Sequence, residues 1–205
     1  MSEARIGRVL IASLHQAIAD LLPTRLEFYE NWLNVSGLRE GTIGLAPLTA
    51  VLSFLRTEGD AYAAVTARAG SYAAEWSVRS LPTFERRMIL VLPTPLRARA
   101  TLRIARQLVR STYPGTRLIT KFRKGAGSLD LRGSLFCEVR ELSTHPLCGF
   151  YAAAVARLME LFALAADAQV VECRASGVRR GCMLAVSLER PTAEVSDPTG
   201  VAGQV

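Results

Sequence analysis

Apolar residues recur at helical spacing through the first half of the chain and switch to alternation after residue 116, dividing it into a helical half and a sheet-bearing half. Ile11, Leu14, Ile18, Leu21 and Leu22 predict a helix over residues 9–22, which Pro23 ends. A second helix is expected over 24–35, closing near Gly37. Pro47 opens a short apolar helix, LTAVLSFLR, and Gly59-Asp60 supplies a break and an N-cap for a helix over 61–77. That helix, AYAAVTARAGSYAAEW, is rich in Ala and Gly, which lets a neighbouring backbone approach closely or leaves room for a ligand. Pro93 and Pro95 precede a helix over 96–112, with Leu102, Ala105, Leu108 and Val109 facing inward. Arg99, Arg103, Arg106 and Arg110 lie along its other face.

Beyond Pro114-Gly115 the runs RLITKFR (117–123), SLDLR (128–132) and SLFCEVR (134–140) alternate as strands, the first two joined by a Gly125-Ala126-Gly127 turn. They predict an antiparallel meander. Pro146 suits the first turn of a helix running to about residue 166, capped by Thr144 or His145. VVECRA and CMLAVSL then form a hairpin around Gly177 to Gly181. The expected fold class is α+β: N-terminal helices, then an antiparallel sheet with a late helix packed across it. Residues 1–189 form one domain, and 190–205 read as a flexible tail.

Composition narrows the class of protein. At 205 residues, with 50% hydrophobic and 21% charged residues, the chain can bury one sizeable core, which excludes a largely disordered protein. Mean hydropathy is positive at +0.21, yet charged or strongly polar residues interrupt every apolar run before the roughly 20 residues that a membrane span needs. The N-terminal segment lacks a cleavage pattern and reads as mature sequence, so the expected location is the cytoplasm. The net charge of +7 comes almost wholly from arginine, since Lys121 and Lys124 are the only lysines. A solvated surface is the expected role of the arginines, with recognition of an anionic carboxylate or phosphate partner as the alternative. Nucleic acid is not expected, because the Arg99–Arg110 row has no interleaved aromatics and no nucleic-acid-binding motif.

Four cysteines without a signal peptide point to free thiols or metal ligands. Cys137, in an alternating run, reads as a small buried packing residue. Cys148 falls in a helical first turn, where the dipole favours a thiolate. A hairpin brings Cys173 and Cys182 together at one end of the sheet. These last three thiols could hold zinc, with His145, Glu172 or a water as fourth ligand.

At these residues the sequence resembles the 4-vinyl reductase domain family, small-molecule-binding domains distantly related in fold to TRAPP trafficking subunits. The resemblance rests on PLCGFYAAAVARLMELF and VVECRASGVRRGCMLAV and is best supported over residues 134–189. In the family's aromatic sensors three cysteines and a glutamate bind structural zinc beside an apolar pocket, and the resemblance places Cys148, Cys173 and Cys182 at the cysteine positions. Val170 stands where the family has that glutamate, and the turn before the last cysteine is one residue longer. The family's stand-alone members are associated with bacteriochlorophyll synthesis, implying a tetrapyrrole ligand, a tetrapyrrole-pathway enzyme as partner, and a homodimer.

No dinucleotide-binding or phosphate-loop motif is present to hold a reductant, which favours a binding or carrier role. The alternatives are a vinyl reductase or subunit fed by an external reductant, and a non-catalytic dimeric adaptor. Candidate pocket residues are Phe28, Trp32, Tyr62, Trp76, Phe150 and Tyr151, aromatics near small residues that could line an apolar cavity.

Overall fold

Helical periodicity in the first half becomes six α-helices among the described residues of the computed structural model, which are 6–33, 44–139, 142–177 and 181–188. Helix α1 (Arg8–Leu21) buries Leu10, Ile11, Leu14, Ala17 and Ile18 as one stripe. After a 3₁₀ turn at Pro23–Arg25 come α2 (Leu26–Leu33), α3 (Leu45–Thr57), α4 (Asp60–Arg79), α5 (Thr83–Val91) and α6 (Thr94–Thr112). Helix α5 was not expected from the sequence. The end of the 24–35 segment and the 190–205 tail lie outside the described residues. No helix among the described residues is long and apolar enough to cross a membrane.

The sheet half contains β1 (Arg117–Arg123), β2 (Ala126–Arg132), α7 (Gly149–Leu161), β3 (Ala166–Glu172) and β4 (Cys182–Leu188). All pairings are antiparallel, in the order β1-β2-β4-β3. Lys124 and Gly125 both have positive φ and form a tight two-residue hairpin, so β2 starts two residues before the expected strand. Leu118, Leu129, Leu131, Leu184 and Val186 form the buried face, with Cys182 at its end opposite Leu131. Helix α7 packs against β3, α4 and α6, so the late helix lies between the sheet and the helical layer. The α+β class is as expected.

The third expected strand, SLFCEVR, does not form over its described residues 134–139, and Arg140 lies outside them. Gly133, at φ 68°, turns the chain so tightly that a Cβ there would lie 2.2 Å from the Gly115 carbonyl oxygen. A 3₁₀ turn at Leu135–Cys137 follows, with all three side chains buried, which alternation cannot achieve. The neighbour of β2 is therefore β4, and the meander becomes a sheet closed by a later hairpin. The expected 146–166 helix is also shorter: Pro146 precedes it, Cys148 occupies the N-cap position, and Ala166 already begins β3.

The Ala and Gly content of α4 is used for close packing. Ala69, Gly70, Ala73 and Ala74 are buried, and a Cβ on Gly70 would sit 2.1 Å from the carbonyl oxygen of Phe150 in α7. Arg157 fastens the same pair of helices through Glu75, at 2.8 Å and 3.0 Å.

Candidate metal centre and its surroundings

Four separate segments each deliver one thiol to the same point. Cys137 ends the 3₁₀ turn that Gly133 initiates, Cys148 sits before α7, Cys173 follows β3, and Cys182 opens β4. All four are free and buried, and their Sγ atoms lie within 4.8 Å of one another. Cys137 approaches Cys148 at 2.7 Å and both Cys173 and Cys182 at 3.4 Å. Cys148 is 3.0 Å from Cys182 and 3.9 Å from Cys173, and Cys173 is 3.9 Å from Cys182.

Backbone contacts fix this arrangement. The Leu147 amide donates to Cys173 Sγ at 3.4 Å, and the Arg174 amide donates to Cys182 Sγ at 3.3 Å. Such donors stabilise a thiolate and orient its lone pairs. Tyr62 of α4 donates to the Leu147 carbonyl, and Arg56 of α3 donates to the Phe136 carbonyl, so two helices brace the loops that carry Cys148 and Cys137. Ser143 donates its amide to Ala175, tying the loop before α7 to the turn after β3.

The thiols are electrostatically unequal. Cys173 and Cys182 are held below the ordinary thiol value, first by hydrogen bonds from Cys137 and Cys148 and then by the backbone amides. Cys148 is pushed well up by its contacts with Cys137, Cys173 and Cys182 and by burial. The contact with Cys148 pulls Cys137 down, but Cys173, Cys182 and burial outweigh it and push the thiol up. Four thiols at one buried point make a donor set that a soft divalent cation would complete, since all four ligands must be deprotonated to bind it.

Zinc–sulfur bonds of about 2.3 Å in a tetrahedron place sulfurs about 3.8 Å apart. Four of the six distances here are between 3.4 and 3.9 Å, and the two short ones both involve Cys148. A modest outward shift of that sulfur would make the cage regular, so the residues fit a four-thiolate ion.

Of the expected ligands, Cys148, Cys173 and Cys182 are brought together, whereas His145 is exposed and outside the thiol group. Cys137, read from the sequence as a packing residue, stands among the thiols instead. A signal was available: all four cysteines fall within residues 137–182.

The aromatic candidates divide into three sets. Phe150 and Tyr151 are buried with Phe136, which stacks on Phe150 at 5.1 Å and meets Tyr151 edge-on at 5.5 Å. Tyr62 belongs with them through Leu147, and burial drives its phenol well above the usual range. Burial also pushes Tyr151 up to about 12. Phe28 and Trp32 are largely exposed and pack on Phe54, while Trp76 stacks on Tyr72. Between α4, α7 and the start of β3 lies an open depression of about 410 Å³, lined by Ser71, Ala153, Ala156, Arg157, Leu164 and Ala166.

No protein-family model matches the sequence, and no curated protein matches it. Among solved structures, the fold is similar to the phenol-responsive sensory domain of the transcription activator PoxR, crystallised with phenol. That likeness has a TM-score of 0.51 and 12% identity, covering 71% of this chain and 75% of that one. It is also similar to the Fe(II) unliganded H-NOX protein from K. algicida, with a TM-score of 0.53 and 11% identity over 92% of this chain and 99% of that one. A point mutant of that H-NOX protein gives 0.55 and 10%, over 91% and 98%. The chain thus has the α+β fold found in these proteins, one of them a small-molecule sensory domain.

Proposed function

We propose that the chain is a small-molecule-binding domain of the 4-vinyl reductase type, in which Cys137, Cys148, Cys173 and Cys182 hold a structural zinc ion. The convergence of four buried thiols from four segments carries this reading. Four thiolates fill a tetrahedral shell, so the ion would supply structural cohesion and leave no open position for substrate. Cys137 then takes the place that the resembled family gives to glutamate, and His145 has no part in the cage. Buried free thiols suit a reducing compartment such as the cytoplasm.

The ligand in this reading is a hydrophobic molecule of the tetrapyrrole class, held for an enzyme of bacteriochlorophyll synthesis by a homodimer. Tyr62, Phe150 and Tyr151 adjoin the thiols and form the proposed wall. Occurrence of the fold in a phenol-responsive domain supports small-molecule binding, and the tetrapyrrole rests on the sequence resemblance.

The test is to isolate the protein without chelator and measure zinc by elemental analysis together with the absorption spectrum. Stoichiometric zinc and a bound or titratable porphyrin band are expected. Protein that stays metal-free when zinc is added would overturn the metal centre, and failure of added protoporphyrin to bind would overturn the ligand class.

A further inference from the structure

The chain's charge is segregated along its length. Residues 76–129 hold twelve Lys and Arg and a single acid, Glu85, whereas the remaining residues hold thirteen cations and seventeen acids. Helices α5 and α6 lie within this basic stretch. On α6, Leu96, Arg99, Arg103, Arg106 and Arg110 recur at three- and four-residue spacing, so they form one stripe about 21 Å long. All five are exposed. None of the four arginines has a hydrogen bond or ion pair among the described residues, and Arg103, Arg106, Gln107 and Arg110 line a groove of about 340 Å³.

Helix α5 leads into the apolar end of that stripe. Ile89 is its only buried residue. Phe84 and Val91 are each 75% exposed, and Met88, Leu90 and Leu96 are exposed as well, with Arg86 and Arg87 between them. Phe84, Met88 and Val91 fall on one helical face, opposite Ile89. Five large apolar side chains left in water within thirteen residues form a surface that calls for an occupant. A second copy of the chain would bring two unpaired arginine rows together, which charge repulsion opposes. An anionic bilayer satisfies both halves: its interface accepts Phe, Met, Leu and Val side chains, and its phosphates accept the guanidinium forks.

We propose that α5 and the Leu96–Arg110 face of α6 dock the protein peripherally on an anionic lipid surface. The apolar residues enter the interface and the arginines sit against the headgroups. This does not depend on the metal or on the tetrapyrrole.

The experiment is co-sedimentation of the full chain with phosphatidylcholine vesicles, with and without phosphatidylglycerol, at about 0.1 M and about 0.5 M salt. A gain of about fivefold for each of the four arginines predicts partition up to about six hundredfold stronger on the anionic vesicles at low salt, mostly lost at high salt. Replacing Arg99, Arg103, Arg106 and Arg110 by Gln should remove the anionic preference, and Phe84→Ser with Val91→Ser should weaken binding to both compositions. Absence of vesicle binding, or equal binding to neutral and anionic vesicles by the unaltered protein, overturns the proposal whatever the variants do. A concentration-dependent dimer abolished by the Phe84 and Val91 changes, or tighter binding to an oligonucleotide than to the anionic vesicles, also overturns it.

Discussion

The thiol corner and the α4–α7 interface are both buried, yet they are held in opposite ways. At the interface two continuous helices meet through Ala69, Gly70, Ala73 and Ala74, and dispersion over many small contacts supplies the attraction. At the corner, four short irregular segments meet through four sulfur atoms and a few backbone hydrogen bonds. Close packing makes the first intolerant of added atoms. The second is sensitive to whatever joins the sulfurs, because without a joining ion only thiol contacts and a few backbone hydrogen bonds hold the four segments together.

Metal removal separates the two most strongly. Structural zinc in small domains contributes several kcal/mol or more to folding. For a chain of this size, chelation is expected to lower Tm by about 10–20 °C by calorimetry. Amide exchange should rise first around Cys137, Leu147 and Arg174, while the α4 and α7 amides stay protected. Cys137→Ser should reproduce the loss and weaken zinc affinity at least about tenfold, whereas His145→Ala should leave both unchanged. Equal effects of the two substitutions would remove Cys137 from the cage.

Gly70→Val tests the other region. Its Cβ would lie 2.1 Å from the Phe150 carbonyl oxygen, and backbone on the facing helix cannot yield as a flexible side chain would. The helices must separate, at about 3 kcal/mol, or roughly 6–12 °C in Tm. Zinc content should survive if the regions are independent. Because Gly70 packs beside Phe150, two residues after Cys148, loss of zinc in this variant would mean that the interface sets the position of the corner.

Legibility from sequence followed the same divide. Helices α1, α4 and α6 were readable because each has a continuous apolar stripe that is buried in the fold. Helix α5 escaped because its apolar residues do not mark a core face: Phe84, Met88 and Val91 face water and Ile89 alone is buried. The segment around Cys137 was misread because Leu135, Phe136 and Cys137 are all buried, in a turn that has no two-residue period. That misreading carried the fourth thiol away from the other three. Packing against Phe150 and the positive φ of Gly133 decide this segment, and both depend on contacts distant in sequence.

The smallest expected effect comes from Arg157, where charge is added to the packed interface. Its guanidinium donates twice to Glu75 Oε1 of α4 and once, at 2.7 Å, to Glu160 of its own helix. Its pKa is raised by the Glu160 hydrogen bond first and by Glu75 next. The Arg157 and Glu75 side chains are 32% and 21% exposed, so the pair is partly shielded but still reached by salt. Arg157→Ala should therefore cost about 1 kcal/mol, and about 2–4 °C in Tm, with much of the difference lost at about 0.5 M salt. Arg157→Lys should recover only part of it, because an ammonium cannot present the planar fork that reaches both carboxylates. If Arg157→Ala instead costs as much as Gly70→Val, the interface is held by charge as well as by fit, and its contrast with the thiol corner narrows to one of degree.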